Sequence, residues 1–235
     1  MGAIFKREIR SYFTSPIAYI YIAVFYLYTG MNFVGGNIFN ATSDMSYIFS
    51  QTFVILMIML PLLTMRLMSE EKRQKTDQCL LTSPVSLSGI VLGKFFAALC
   101  VFVIGMAVYI PYMLVLYKLA GGLAWASAAG NMLALLLLGA SFISIGIFMS
   151  SLTENQIVSA ILSFIVIMLF YMIDVYARTV SVEWISSIMV ALGFYNRYSD
   201  FTNGIISIPN ILFFLSAIFI FNFLTVRVLE KRRWE

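Results

Sequence analysis

The sequence predicts an all-α integral membrane protein with six transmembrane helices, and three observations carry that prediction. First, of 235 residues 61% are hydrophobic and 11% charged, with a mean hydropathy of +0.94. Soluble domains carry about 25% charged residues, so a soluble globular chain is excluded. Disorder, which needs low hydrophobicity and high net charge, is excluded with it. Second, charge-free runs of 19 residues or more occur at 11–43, 45–65, 95–117, 119–153, 155–173 and 201–226. Each can hold one helix that satisfies its own backbone hydrogen bonds in hydrocarbon, and a span needs about 20 apolar residues. Third, Lys and Arg are distributed unevenly. With six spans both termini share a side, which carries Lys6, Arg7, Arg10, Arg66, Lys72, Arg73, Lys75, Lys94, Arg227, Lys231, Arg232 and Arg233. The other side has Lys118, Arg178 and Arg197. This twelve-to-three bias predicts cytoplasmic termini.

The elements follow in order. Residues 3–13 are expected to form an interfacial helix: Ile4, Phe5, Ile9, Tyr12 and Phe13 share one helical side, with Lys6, Arg7 and Arg10 largely on the other. Such a helix lies with its apolar side in the acyl boundary and its basic side on anionic headgroups. The apolar stretch that follows is too long and bulky for a signal peptide and has no small-residue cleavage site, so it is expected to remain as the first span. The spans are predicted at 16–38, 45–65, 94–117, 127–150, 156–175 and 209–229, all within one transmembrane domain, 1–235. Gly121 and Gly122 place the fourth span after a turn. Two inserts remain, 66–93 on the basic side and 175–208 opposite. In the second, Trp184, Ile185, Ile188, Met189 and Leu192 recur at helical spacing. That predicts an amphipathic helix on the outer leaflet.

Several chemistries are excluded. There is no histidine, the commonest general base and metal ligand. Cys79 and Cys100 cannot form a zinc site alone and are read as free thiols. The net charge of +4 reflects topology and contact with anionic membrane lipid, not nucleic acid. Gly89 to Phe95 imitates a phosphate loop, but three residues separate its glycines and Phe95 follows Lys94, where the motif needs four and a Ser or Thr. The chain is expected to bind no cofactor.

The 66–93 insert carries the most specific pattern. Glu70-Glu71-Lys72-Arg73, Thr76 and Leu80-Leu81-Thr82-Ser83-Pro84-Val85-Ser86 resemble the signature of type-2 ABC transporter permeases, in particular the gliding-motility-type branch. Lys6-Arg7-Glu8 with Tyr12 to Tyr19, Leu60 to Arg66, Leu92-Gly93-Lys94, Thr153 to Gln156 and Gly204-Ile205-Ile206 fit the same pattern in the same order. The family often has Gly before the Thr, where this chain has Lys75; it also departs at Gln78 and Ser207.

The resemblance implies half of an ATP-driven exporter in a bacterial cell membrane. Two permease halves, identical or paralogous, would form the pathway, and a cytoplasmic ABC ATPase dimer holding ATP and Mg would drive it. The insert would act as a cytoplasmic coupling helix through Glu70, Glu71, Lys72, Arg73, Thr76, Leu80, Leu81, Ser83 and Pro84. An exposed Leu80-Leu81 pair also suits helix-in-groove docking on its own terms.

The remaining candidates are polar groups within spans. Gln156, Ser159, Ser163 and Asp174 fall on one side of the fifth span. They read equally as a pathway wall or dimer seam and as small-residue helix packing. Asp174, four residues before Arg178, is expected to form a boundary ion pair. Tyr19 and Tyr26 of the first span could line the pathway, with packing the plainer reading. A stand-alone channel or ion-coupled carrier is the rival class, but such proteins carry ionisable groups or broken helices at mid-depth. A membrane enzyme would lack catalytic equipment.

Overall fold

The computed structural model describes residues 1–40, 42, 44–76, 78, 85–120, 125–177, 182–205 and 207–234. Among them there are helices and turns but no strand. Helix α1 (Gly2–Thr14) precedes α2 (Ile17–Phe33), which runs on into a π-helical turn, Val34–Ile38. Then come α3 (Ser46–Thr64), α4 (Arg66–Arg73), α5 (Leu87–Met106), α6 (Tyr109–Ala120) and α7 (Trp125–Leu152). Helices α8 (Gln156–Ala177), α9 (Glu183–Leu192), α10 (Tyr195–Thr202) and α11 (Ile208–Trp234) complete the chain.

Among the described residues six stretches are long and apolar enough to cross a membrane: Ile17–Ile38, Ser46–Arg73, Leu87–Leu119, Ser127–Leu152, Gln156–Ala177 and Ile208–Arg233. The fourth is 72% buried and the first, fifth and sixth are 22–28% buried. The fourth span is therefore the axis of the bundle, and the others present apolar faces outward. Small residues let neighbours close on that axis. A Cβ on Gly146 would come within 2.0 Å of Thr64 Oγ1, and one on Gly139 within 2.2 Å of Phe102.

Two prolines shape the spans. Pro61 sits inside α3, and the helix breaks four residues later at Met65 before resuming as α4. Pro111 cannot donate to the carbonyl of Ala107; Ile110 N takes that carbonyl instead at 3.2 Å, and the third span is divided into α5 and α6 there. The third span starts earlier than the expected residue 94. Ser86 Oγ accepts from Gly89 N at 3.2 Å, an N-cap that begins α5 at Leu87. Lys94 consequently lies inside a helix, about two turns from its start.

The described residues of the 175–208 insert include two helices, where one was expected. In α9, Trp184, Ile188 and Leu192 are exposed along one line, as an interfacial helix requires. Helix α10 is packed inward by Tyr198, Phe201 and Thr202. Tyr198 Oη donates to Phe49 O at 2.7 Å, which fastens α10 to α3.

Candidate functional site

At the basic end of the bundle four charged side chains from three helices meet. Along α1 the buried residues are Ile4, Glu8 and Tyr12, so an acid occupies the centre of the apolar stripe. Lys94, 1% exposed, reaches Glu8 Oε1 at 3.1 Å and Glu71 Oε2 of α4 at 3.0 Å. Its ammonium also donates to Leu67 O at 2.5 Å. Arg7 closes the ring, pairing with Glu8 at 2.6 Å and with Glu71. Two positive and two negative groups thus neutralise one another. That balance is what makes a buried ammonium tolerable, since an unpaired charge there would cost several kcal/mol.

Burial opposes ionisation of Glu8, but the Lys94 ammonium and the hydrogen bond from Arg7 outweigh it and hold the carboxyl below its ordinary value. Burial, with the Glu8 charge added, pushes the Tyr12 hydroxyl up, so it stays protonated. It donates to Leu63 O at 2.8 Å. The Arg66 guanidinium lies 5.9 Å from the Tyr12 ring centre and donates to Ser11 Oγ at 2.7 Å.

Helix α4 is held from its other side as well. Ser150 Oγ of α7 accepts from Met68 N and Ser69 N, each at 3.1 Å, and donates to Met65 O at 2.9 Å. These bonds satisfy amides that the break at Met65 releases from the helical ladder. Lys72 is buried and donates to Ser151 O.

The C-terminus of α4 is a Schellman motif. Thr76 N bonds to Glu71 O at 3.0 Å and Lys75 N to Lys72 O at 3.1 Å. This places Lys75 at the left-handed position, φ 55°. The same motif ends α10, with Gly204 at φ 83°. Lys75 stands where the resembling family often has glycine, and the backbone shows why glycine suits that position.

The coupling residues expected from sequence thus divide. Glu71 and Lys72 are engaged inside the chain, and Glu70 pairs with Arg66 at 3.6 Å. Arg73 and Thr76 are exposed. Leu80, Leu81, Ser83 and Pro84 lie outside the described residues, as do Cys79 and Thr82. Sequence reading missed Glu8, Lys94, Ser150 and Ser151 as participants. A signal existed for Glu8, which shares the helical side of Ile4 and Tyr12.

The span candidates are not one cluster. Ser159 and Ser163 are buried within the single chain, Ser163 Oγ donating to Ser159 O at 2.8 Å. Gln156 is half-buried, and Tyr19 is exposed on the outer face of α2. Tyr26 Oη donates to Ile104 O at 3.1 Å, tying α2 to α5.

Asp174 lies at the opposite end and has a structural role. Arg178, its expected ion partner, is outside the described residues. The carboxylate accepts from Tyr195 N at 2.7 Å and Asn196 Nδ2 at 2.8 Å, at the N-terminus of α10, where negative charge is favoured. A Cβ on Gly193 would fall 1.7 Å from Asp174 Oδ1, so glycine is required beside the cap.

The six-span bundle with this charged end is a multi-pass membrane protein, and its sequence places it in a family. The profile of the ABC-2 family transporter proteins matches residues 3–231, and the chain belongs to that family. It is a membrane permease of an ABC transporter, a transport subunit rather than a catalyst, and membership implies association with an ABC ATPase and a partner permease. No curated protein matches the chain.

Proposed function

We propose that the chain is one permease half of an ATP-driven exporter of the gliding-motility-type branch, in a bacterial cell membrane with both termini cytoplasmic. Two halves and two ATPase subunits make the working unit, and ATP with Mg is held by the ATPases. The coupling surface is the exposed end of α4, Arg73 and Thr76, together with the segment that follows through Leu80, Leu81, Ser83 and Pro84. The reading of 1–235 as one permease domain belongs to the same proposal.

The observation that carries the reading is the way α4 is gripped. Glu71 joins it to Lys94 of α5 and to Arg7 of α1, while Lys72 and the Ser150 hydroxyl join it to α7. A load applied beyond Arg73 therefore acts on three further helices at once. Glu71 and Lys72 transmit that load and do not contact the ATPase. Charged residues at the docking surface set orientation and encounter rate, and apolar Leu80 and Leu81 supply the desolvated anchor.

The test is a pull-down of the partner ATPase with Leu80→Asp and Leu81→Asp, paired with ATP hydrolysis after reconstitution. Burial of an unpaired carboxylate in the docking groove should lower affinity by several kcal/mol while membrane insertion persists. Wild-type binding and hydrolysis in both variants would remove this segment from the coupling role.

A further inference from the structure

Deep in the spans, polar side chains are turned inward, with one exception. Thr29, Thr52, Ser141, Ser144 and Ser163 are buried, and each hydroxyl donates to the carbonyl four residues back on its own helix at 2.8–3.0 Å. A hydroxyl bonded in this way is already satisfied. Lys94 and Asp174, nearer the ends, are buried as well and are bonded within the chain. The fourth span is 72% buried, so the axis of the bundle is packed solid with its neighbours.

The outward faces are the reverse. Leu27, Val54, Val103, Leu136, Ile165 and Leu215 are exposed at mid-depth, one on each span in turn. Between the boundary turns, one exposed polar side chain occurs among the described residues, Ser216 of α11, and its hydroxyl donates to Phe213 O at 2.7 Å. Tyr26, Tyr28 and Asn32, half-buried, spend their donors on Ile104 O, Gln51 O and Tyr28 O. Gln51 lies in the second turn of α3, near the outer end. Exposed Tyr19, Tyr47, Tyr117 and Tyr176 stand in the first or last turn of a span, the place of a boundary belt.

Surrounding lipid accounts for apolar surface on most faces of a bundle, but not on all of them in half of an exporter. There the pathway runs between two halves, and some outward face of this chain is its wall. Every outward face is apolar at mid-depth, so the wall is apolar whichever face it is. A sugar chain, a peptide or an ion moving along it would give up water and find no partner. Hydrocarbon gives up nothing there. We infer, resting on the two-half reading, that the cargo is lipophilic: a hydrocarbon-rich molecule whose polar part is at most a small uncharged head. The pathway stays dry at mid-depth, since an apolar constriction sheds water.

The test uses the permease with its partner ATPase in proteoliposomes, with Cys79→Ser and Cys100→Ser removing the native thiols. Leu27→Cys, Val54→Cys, Val103→Cys, Leu136→Cys, Ile165→Cys and Leu215→Cys each place one thiol at mid-depth, and Lys118→Cys places one at the boundary. A cationic methanethiosulfonate is supplied on both sides, without nucleotide and during ATP turnover. A thiol in hydrocarbon does not ionise and does not react. Lys118→Cys should therefore be modified to completion, while the six mid-depth thiols stay free in both conditions. Wild-type vesicles holding ATP with a fluorescent trisaccharide or tripeptide should retain both probes. Modification of any mid-depth thiol during turnover, or ATP-driven loss of either probe, would overturn the lipophilic cargo. The mass of the assembled complex keeps the premise separate: one permease copy per complex would remove the two-half reading, and the cargo class with it.

Discussion

Glu8 titrates lower in the folded chain than in the unfolded one, because Lys94 and Arg7 favour its carboxylate more than burial disfavours it. A depressed acid contributes stability that is fully present above its unfolded value, about 4.3, and is lost as pH falls through the lower folded value. Thermal melts of the detergent-solubilised chain should therefore fall more steeply between about pH 5 and about pH 3 for wild type than for Glu8→Gln. Parallel curves would show that Glu8 gains nothing from its partners. At neutral pH Glu8→Gln should itself cost about 1.5–3 kcal/mol, the scale of a charge-assisted hydrogen bond, since Lys94 keeps Glu71 as a partner. Two backbone positions give sharper tests. Lys75 occupies a left-handed conformation that costs an ordinary residue about 1–2 kcal/mol. Lys75→Gly should be neutral or stabilising by up to about 1 kcal/mol, and Lys75→Val should destabilise, read as opposite shifts in melting temperature. Gly193→Ala forces a Cβ onto the Asp174 carboxylate, and a loss of monodisperse protein on size exclusion is expected.

Helices and their faces were legible to different degrees, for physical reasons. The six spans were readable because lipid enforces long uninterrupted apolar runs. The start of α5 at Leu87 was not, since Ser86 caps it through a local geometry that hydropathy does not register. Helix α10 was missed because Tyr195–Thr202 is polar by composition and is held by tertiary bonds, from Asp174 to its N-terminus and from Tyr198 to Phe49. The expectation that Glu71 and Lys72 take part in coupling came from the resemblance, and only the fold shows their partners inside the chain. Ser150 illustrates the same limit: one hydroxyl in an apolar span serves three groups of a helix some 80 residues away. Ser150→Ala should strand the amides of Met68 and Ser69. A loss of about 1–3 kcal/mol and faster hydrogen exchange at those two amides are the expected readouts.

As a whole molecule, the chain concentrates its fixed charges at one end and its lipid-facing apolar surface around a buried fourth span. That end is where an external motor must act if this permease works as proposed. The central claim is that α4 delivers the load through the ring of Arg7, Glu8, Glu71 and Lys94. It is tested most directly by ATP hydrolysis of the partner ATPase, reconstituted with wild-type permease, Glu71→Gln or Lys94→Met, with complex formation measured in the same samples. The account predicts that both variants still bind the ATPase, because neither side chain touches it, yet lose the stimulation that wild-type permease gives. Full stimulation in both variants, with binding intact, would contradict it.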